Sequence, residues 1–291
     1  MAEAELRRRS VLCASPKGLH RMAYVEWGDP RNRNILVCVH GLTRSGRDFD
    51  ELARALCGRF RVVCPDLAGR GDSDRLADPM LYAVPQYVAD MVTLIARLDC
   101  EALSWVGTSL GGLVGMALAA QPGNPIRRLV LNDAGPVISR ASLQRIAAYV
   151  GVVPNLPTLE KAEEYVRSIS ASFGPHSDAQ WRTLTERWVR QAADGSWQPH
   201  YDARLAAAFR ASMPEEGDLE LWPIYDAIRC PTLVLRGELS DLLGRETTAR
   251  MAKRGPKAQV AEIGGVGHAP TLMHPDQIAL VRDFLVQGEP S

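Results

Sequence analysis

The 291-residue sequence predicts an α/β protein: a mostly parallel, eight-stranded sheet flanked by helices and interrupted by a helical insertion. Three observations lead there. Short β-branched runs alternate with stretches of helical period, the pattern of the right-handed crossover units that build parallel sheets. A strand, a tight turn and a helix follow one another around Gly107-Thr108-Ser109-Leu110-Gly111. The alternation stops after Gly135-Pro136 and resumes at Pro231.

Residues 11–15 and 21–27 read as strands, the second alternating around Met22, Tyr24 and Val25. The run 35–39 is continuously apolar and rich in β-branched residues, typical of a strand buried on both faces. Residues 49–56 then carry helical period, 60–64 return to a buried strand, and 87–98 form an amphipathic helix. Strand 102–106, a small-residue helix over 113–120 and strand 129–131 continue the series. Between 137 and 225 no buried strand run appears. Helices at 159–173 and 179–193 are separated by Pro and Gly, and large aromatics gather there: Trp181, Trp188, Trp197, Tyr201 and Trp222. Trp181 and Trp188, two helical turns apart, share a face that either packs on the core or roofs a pocket. Strands return at 231–235 and 259–263, and a helix over 275–286 closes the chain. The expected division is a core in two parts, 1–136 and 226–291, with a helical lid over 137–225.

Hydrophobic residues make up 46% and charged residues 23%, so the chain is an ordinary globular one with ample core. Lys+Arg and Asp+Glu both total 34, and a chain of zero formal charge has no field to gather nucleic acid or an anionic membrane. Arg7-Arg8-Arg9 is followed by no apolar segment, so residues 1–10 do not read as a secretory signal. The longest apolar-rich stretch, 102–120, is broken by Ser104, Thr108, Ser109 and four glycines and is not a membrane span. Cys13, Cys38, Cys57, Cys64, Cys100 and Cys230 lack metal-ligand spacing and read as small hydrophobes in a reducing cytosol. Neither a cofactor nor a metal is expected, the expected location is cytoplasmic, and the sequence leaves the oligomeric state open.

The chemistry is expected at Ser109. A serine at the apex of a sharp strand-to-helix turn has its hydroxyl thrust outward, and flanking glycines keep bulk away from the bend. A hydroxyl is a weak nucleophile at neutral pH and needs a base, itself oriented by an acid. His268 is the best-placed histidine, in the loop Gly264-Gly265-Val266-Gly267-His268 directly after the last strand. Asp241 is the chosen acid because it follows strand 231–235; Glu238 and Asp133, also just past strands, compete with it. The oxyanion needs fixed donors. Leu110 N–H, at a helix N-terminus, and Leu42 N–H, after His40-Gly41, are assigned by position. Arg44, Arg47 and Arg70 could fork a substrate carboxylate, although solvated or salt-bridged charge is the more ordinary reading. His200, beside Trp197 and Tyr201, lines a pocket or packs in the lid.

His40-Gly41, the Gly107–Gly111 elbow with Gly112 after it, Ser240-Asp241 and Gly267-His268 together resemble the α/β-hydrolase superfamily, in its lid-bearing, esterase-like branch. The order Ser, Asp, His is the family's. Epoxide hydrolases and haloalkane dehalogenases of this fold use an aspartate where this chain has Ser109. The resemblance implies a serine hydrolase that cleaves a carboxylic ester or lactone of a small to medium apolar substrate through an acyl-enzyme. Carbon–carbon cleavage of a diketo acid by the same triad, which would need Arg44, Arg47 or a lid arginine such as Arg190 for the substrate carboxylate, and a ligand-binding, receptor-like role whose turnover is incidental, are the competing readings.

Overall fold

The computed structural model describes residues 5–287. Of the 1–10 stretch, residues 1–4 therefore lie outside the described residues. Eight strands form one sheet: β1 (Arg7–Ser15), β2 (Gly18–Trp27), β3 (Ile35–Val39), β4 (Arg61–Pro65), β5 (Leu103–Thr108), β6 (Ile126–Asn132), β7 (Thr232–Gly237) and β8 (Gln259–Ile263). Their spatial order is β1-β2-β4-β3-β5-β6-β7-β8. β1 and β2 form an antiparallel hairpin, and β2 is antiparallel to β4; every other pairing is parallel. All eight sequence-predicted strands exist, several longer than expected at their ends.

The central strand β3 is apolar on both faces because both faces are covered, whereas the edge strand β8 is largely exposed. Ile35, Val37 and Val39 of β3 point to one side, with Trp105, Leu129 and Leu131. Leu36 and Cys38 point to the other, with Val62, Cys64, Val106 and Val130. This period of two divides the core into two apolar layers. The first layer packs against α2 (Val84–Leu98), α3 (Leu110–Ala119) and the insertion; the second packs against α1 (Asp50–Leu56) and α10 (Pro275–Leu285). Cys13, Cys38 and Cys64 lie in these layers as small apolar side chains, and no disulfide joins the six cysteines.

Between β6 and β7 the chain leaves the sheet. It forms α4 (Arg140–Tyr149), α5 (Leu159–Ile169), α6 (Asp178–Trp188), α7 (Leu205–Ala211) and α8 (Trp222–Ala227). The two ends of this excursion are joined by a short antiparallel ribbon, Val137–Ile138 against Leu219–Glu220. The expected helix over 179–193 is shorter than predicted. It stops at Trp188, where Val189 turns extended and Val189–Gln191 pairs with Trp197–Pro199 as a hairpin. Asp194-Gly195 at its tip, with Gly195 at φ +85°, is the turn signal that decides it. Helix 159–173 likewise ends early, its last three residues forming a single 3₁₀ turn. Trp181 and Trp188 are both buried in the first core layer, which resolves their shared face as packing. α9 (Arg245–Met251) lies between β7 and β8. Among the described residues no helix is long and apolar enough to cross a membrane.

Candidate active site

Ser109 sits between the end of β5 and the start of α3 with φ +51° and ψ −115°, a backbone conformation that L-residues rarely hold. The crossing is so tight that a methyl group at Gly111 would lie 2.0 Å from the carbonyl oxygen of Val39. The bend is held from beneath by Ser109 N–H, which donates to Asn132 O at 3.0 Å. The hydroxyl thus projects from the C-terminal edge of the sheet, where loops after β3, β6, β7 and β8 converge.

His268, in the loop after β8, bonds in two directions. Its Nε2 is 2.9 Å from Ser109 Oγ, and its Nδ1 is 2.7 Å from Asp133 Oδ2. A carboxylate can only accept, so Nδ1 carries the proton and Nε2 is left as the acceptor facing the serine. The loop that holds this ring is gripped from two sides. Ser172 of the insertion accepts Gly267 N–H on its carbonyl at 2.6 Å and donates its hydroxyl to His268 O at 2.9 Å. Asn132 Nδ2 donates to Pro270 O at 2.8 Å.

The acid in contact with His268 is Asp133, and the expectation of Asp241 is corrected. Asp133 follows β6 at φ +50°, is fully buried, and accepts Gly237 N–H at 3.0 Å and Ser240 Oγ–H at 2.6 Å besides the imidazole. Asp241 faces outward instead. Its half-exposed carboxylate forks Arg145 of α4 at 2.6 and 2.9 Å, and its carbonyl accepts from Ser142 at 2.7 Å. β6 and β7 are neighbours, with Asp133 N–H donating to Leu235 O at 2.8 Å, so an acid from either strand end can reach the same spot. Glu238, the other competitor, accepts the N–H of Gly265 at 2.8 Å. Ser172 and Asn132 carried no sequence signal, since their partners are brought together only by the fold; Ser240 was marked only as the neighbour of Asp241, and its bond to Asp133 is likewise made by the fold.

The loop after β3 abuts the serine: a Cβ at Gly41 would touch Ser109 Cβ at 3.7 Å. His40 is fully buried; it donates Nδ1–H to Gly41 O at 2.7 Å and accepts Leu67 N–H on Nε2 at 2.9 Å. Burial pushes its pKa down to about 4, so the ring is neutral as these bonds require. Gly41 C=O and Leu42 N–H belong to one planar trans peptide and point in opposite directions. Pinning the carbonyl therefore fixes where the Leu42 N–H points. Neither Leu42 N–H nor Leu110 N–H meets an acceptor among the described residues.

Two of the weighed arginines are occupied. Arg44 forks Asp48 at 2.7 Å through both nitrogens, and Arg47 holds Asp50 at 2.6 Å. His200, half-buried with its pKa lowered by that burial, gives its carbonyl to Gly71 N–H at 2.9 Å. One cluster has metal-ligand chemistry: Cys13, His20 and Asp90, buried between the β1–β2 hairpin and α2, with donor atoms within 4.8 Å of one another. There His20 Nε2 already meets Asp90 at 3.1 Å, and burial pushes the Cys13 thiol up to about 12, which keeps it protonated. A groove of about 480 Å³ lined by Arg8, Arg9, Arg21, Asp66 and Asp72 opens beside β1 and β2; none of the residues around Ser109 lines it.

An eight-stranded sheet with this strand order, carrying a serine elbow and a histidine loop, defines an α/β hydrolase. The model of the Alpha/beta hydrolase family matches residues 36–280, and the chain belongs to that family. It is 54% identical over 280 residues to a 3-hydroxybutyrate-oligomer hydrolase of Cupriavidus necator, covering 94% of this chain and 96% of that one. A 2-hydroxymuconate semialdehyde hydrolase of a Pseudomonas species is 29% identical, over 79% of this chain and 77% of its own. The crystal structure of an alpha/beta hydrolase from Novosphingobium aromaticivorans superposes with a TM-score of 0.86 at 38% identity, covering 98% of this chain and 99% of that one.

Proposed function

We propose that this protein is a serine-dependent carboxylic ester hydrolase whose substrates are short oligomers of 3-hydroxybutyrate. The observation that carries the reading is the line Ser109 Oγ–His268 Nε2 and His268 Nδ1–Asp133 Oδ2, at 2.9 and 2.7 Å, in a chain 54% identical to a hydrolase of that substrate. Ser109 Oγ attacks the ester carbonyl as its proton moves to His268 Nε2, and the carbonyl π electrons move onto oxygen. Leu42 and Leu110 N–H groups receive that oxyanion. Collapse breaks the bond to the leaving alkoxide, which takes the proton from His268. Water then repeats the steps on the acyl-enzyme and releases the acid. Asp133, in place of Asp241, holds the imidazole tautomer and stabilises the imidazolium.

Residues 137–225 serve as a lid over this edge of the sheet, with its Ser172 steadying the base loop. Six unpaired thiols suit a reducing, cytoplasmic compartment. Carbon–carbon cleavage of a diketo acid is the weaker reading, because the 2-hydroxymuconate semialdehyde hydrolase is only 29% identical against 54% for the 3-hydroxybutyrate-oligomer hydrolase, and because Arg44 and Arg47 are already paired with acids. A receptor-like role is separated from catalysis by turnover after fluorophosphonate-sensitive acylation.

The test is release of free 3-hydroxybutyrate from its linear dimer and trimer, by wild type and by Ser109→Ala. Wild type is expected to turn over many times and the variant to lose at least about a thousandfold. Undiminished hydrolysis by Ser109→Ala overturns the reading.

A further inference from the structure

Arg70 is among the most deeply buried side chains of the protein, 1% exposed, yet among the described residues it faces no carboxylate. Its Nε donates to Leu42 O at 2.9 Å, and its Nη1 to Ala68 O and Tyr87 Oη, both at 2.7 Å. The guanidinium carbon lies 5.0 Å from the ring centre of Tyr87 and 5.5 Å from that of Tyr82. Nη2 is buried and has no partner. A guanidinium stays protonated even here, so the site encloses a net positive charge without a counter-charge. Such an arrangement is unfavourable in a resting protein and is normally avoided by pairing the ion. Arg44 and Arg47, close in sequence to the same loop, are paired in just that way.

The fold holds Arg70 in place from both sides. Its own backbone bridges to Tyr201, Gly71 N–H donates to His200 O at 2.9 Å, and Asp202 N–H donates to Gly69 O at 2.7 Å. One consequence concerns the loop after β3. His40 fixes the peptide that carries Leu42 N–H, and Arg70 fixes the following peptide by its carbonyl. With both carbonyls held, neither can swing into the space in front of Ser109 and occupy it with the wrong dipole. The second consequence is electrostatic. A negative charge appears beside Leu42 only when the carbonyl oxygen of the substrate becomes an oxyanion, and a preorganised cation in a low-dielectric surround favours that state over the neutral ester.

We propose that Arg70 is a positioning residue of the oxyanion loop, whose buried, unpaired charge acquires its counter-charge only in the tetrahedral intermediate. The proposal rests on the ester-hydrolase reading above and assigns a role to a side chain that touches neither nucleophile nor base. It predicts that Arg70 stabilises the anionic tetrahedral state and leaves binding of the neutral ester unchanged.

The experiment compares wild type, Arg70→Met and Arg70→Lys on the methyl ester of the 3-hydroxybutyrate dimer, which has no free carboxylate, and on the free acid. The second readout is the Kd of a short alkylboronic acid. Ser109 Oγ adds to its trigonal boron, the serine proton passes to His268, and boron takes the negative charge with no group leaving. Arg70→Met is expected to lower kcat by about ten- to a hundredfold with KM little changed, and to weaken boronate binding by a similar factor. Arg70→Lys, which keeps the charge and loses the fork, should fall between. Should Arg70→Met fail to fold, Arg70→Lys and Tyr87→Phe, each with its Tm measured, carry the same comparison. Wild-type kcat and boronate affinity in the folded variants overturn the proposal, as does a defect confined to KM for the free acid, which would make Arg70 a carboxylate anchor. If wild type itself neither hydrolyses the ester nor binds the boronate, it is the ester-hydrolase reading that fails.

Discussion

Ser240 donates its hydroxyl to Oδ2 of Asp133 at 2.6 Å, the same oxygen that meets His268 Nδ1. The loop after β7 thus supports an acid supplied by β6, and the next residue, Asp241, turns away to hold α4 through Arg145. The two aspartates stand at adjacent strand ends with opposite tasks. One is buried and aimed at the imidazole; the other is half exposed and ties the insertion to the core.

Substitution separates them. Asp133→Asn is expected to lower kcat by roughly ten-thousandfold, since an amide favours the wrong imidazole tautomer. Asp241→Asn should leave kcat within a few-fold and lower stability by no more than ~1 kcal/mol, the range of an exposed ion pair. Steady-state kinetics of both variants on one ester decide the matter. The opposite ranking would return the acid's role to Asp241.

Ser240→Ala tests the support. Its hydroxyl also accepts Leu242 N–H and Leu243 N–H at 3.3 and 3.1 Å, so the side chain both bonds a buried carboxylate and caps a turn. Removing it should lower stability by about 1.5–3 kcal/mol, the scale of a hydrogen bond to a charged group. kcat should fall by about tenfold as Asp133 loses one restraint. Urea unfolding and kcat are read on the same preparation, and a variant unchanged in both contradicts the assignment.

The strain at Ser109 is separable from its chemistry. Ser109→Ala and Ser109→Gly both remove the hydroxyl and its bond to His268, yet only glycine accepts φ +51° freely. The glycine variant should be more stable than the alanine variant by ~1 kcal/mol, with both inactive. Equal unfolding midpoints would mean that the elbow stores no backbone strain.

What the sequence exposed and what it hid have physical reasons. The parallel strands were legible because burial on both faces leaves uninterrupted runs such as Ile35–Val39, and Ser109 because the elbow needs small neighbours within two residues. His268 was legible because its loop follows the last strand directly. The acid was not, since Asp133 and Asp241 each follow a strand and the two strands are adjacent; the choice depends on φ at Asp133 and on Arg145, which is nearly a hundred residues from Asp241. The hairpin after Trp188 was hidden for a different reason. Its strands are three residues long, too short for a period of two to register, and only Asp194-Gly195 announces it.

The last prediction concerns two buried groups on neighbouring loops whose protonation pulls stability in opposite directions. His40 donates from Nδ1 and accepts on Nε2, so it must stay neutral, and burial lowers its pKa from 6.5 to about 4. Between those values the unfolded chain holds the proton and the folded one does not. Stability from His40 is therefore present above pH 6.5 and lost as pH falls toward 4. Asp66 accepts Gly46 N–H at 2.7 Å and Asp72 N–H at 2.9 Å, yet burial still raises its pKa from 3.8 to about 6. Here the folded state holds the proton between pH 3.8 and 6, so stability rises as pH falls through that window. Each effect is at most about 3 kcal/mol, and in the wild type they largely offset. His40→Gln removes the first, so its stability relative to wild type should improve as pH drops from 7 to 4. Asp66→Asn removes the second, and its relative stability should worsen over the same range. Urea unfolding of the three proteins at pH 4, 5, 6 and 7 gives both slopes, and parallel curves for all three would show that neither group titrates between the folded and unfolded states in this window.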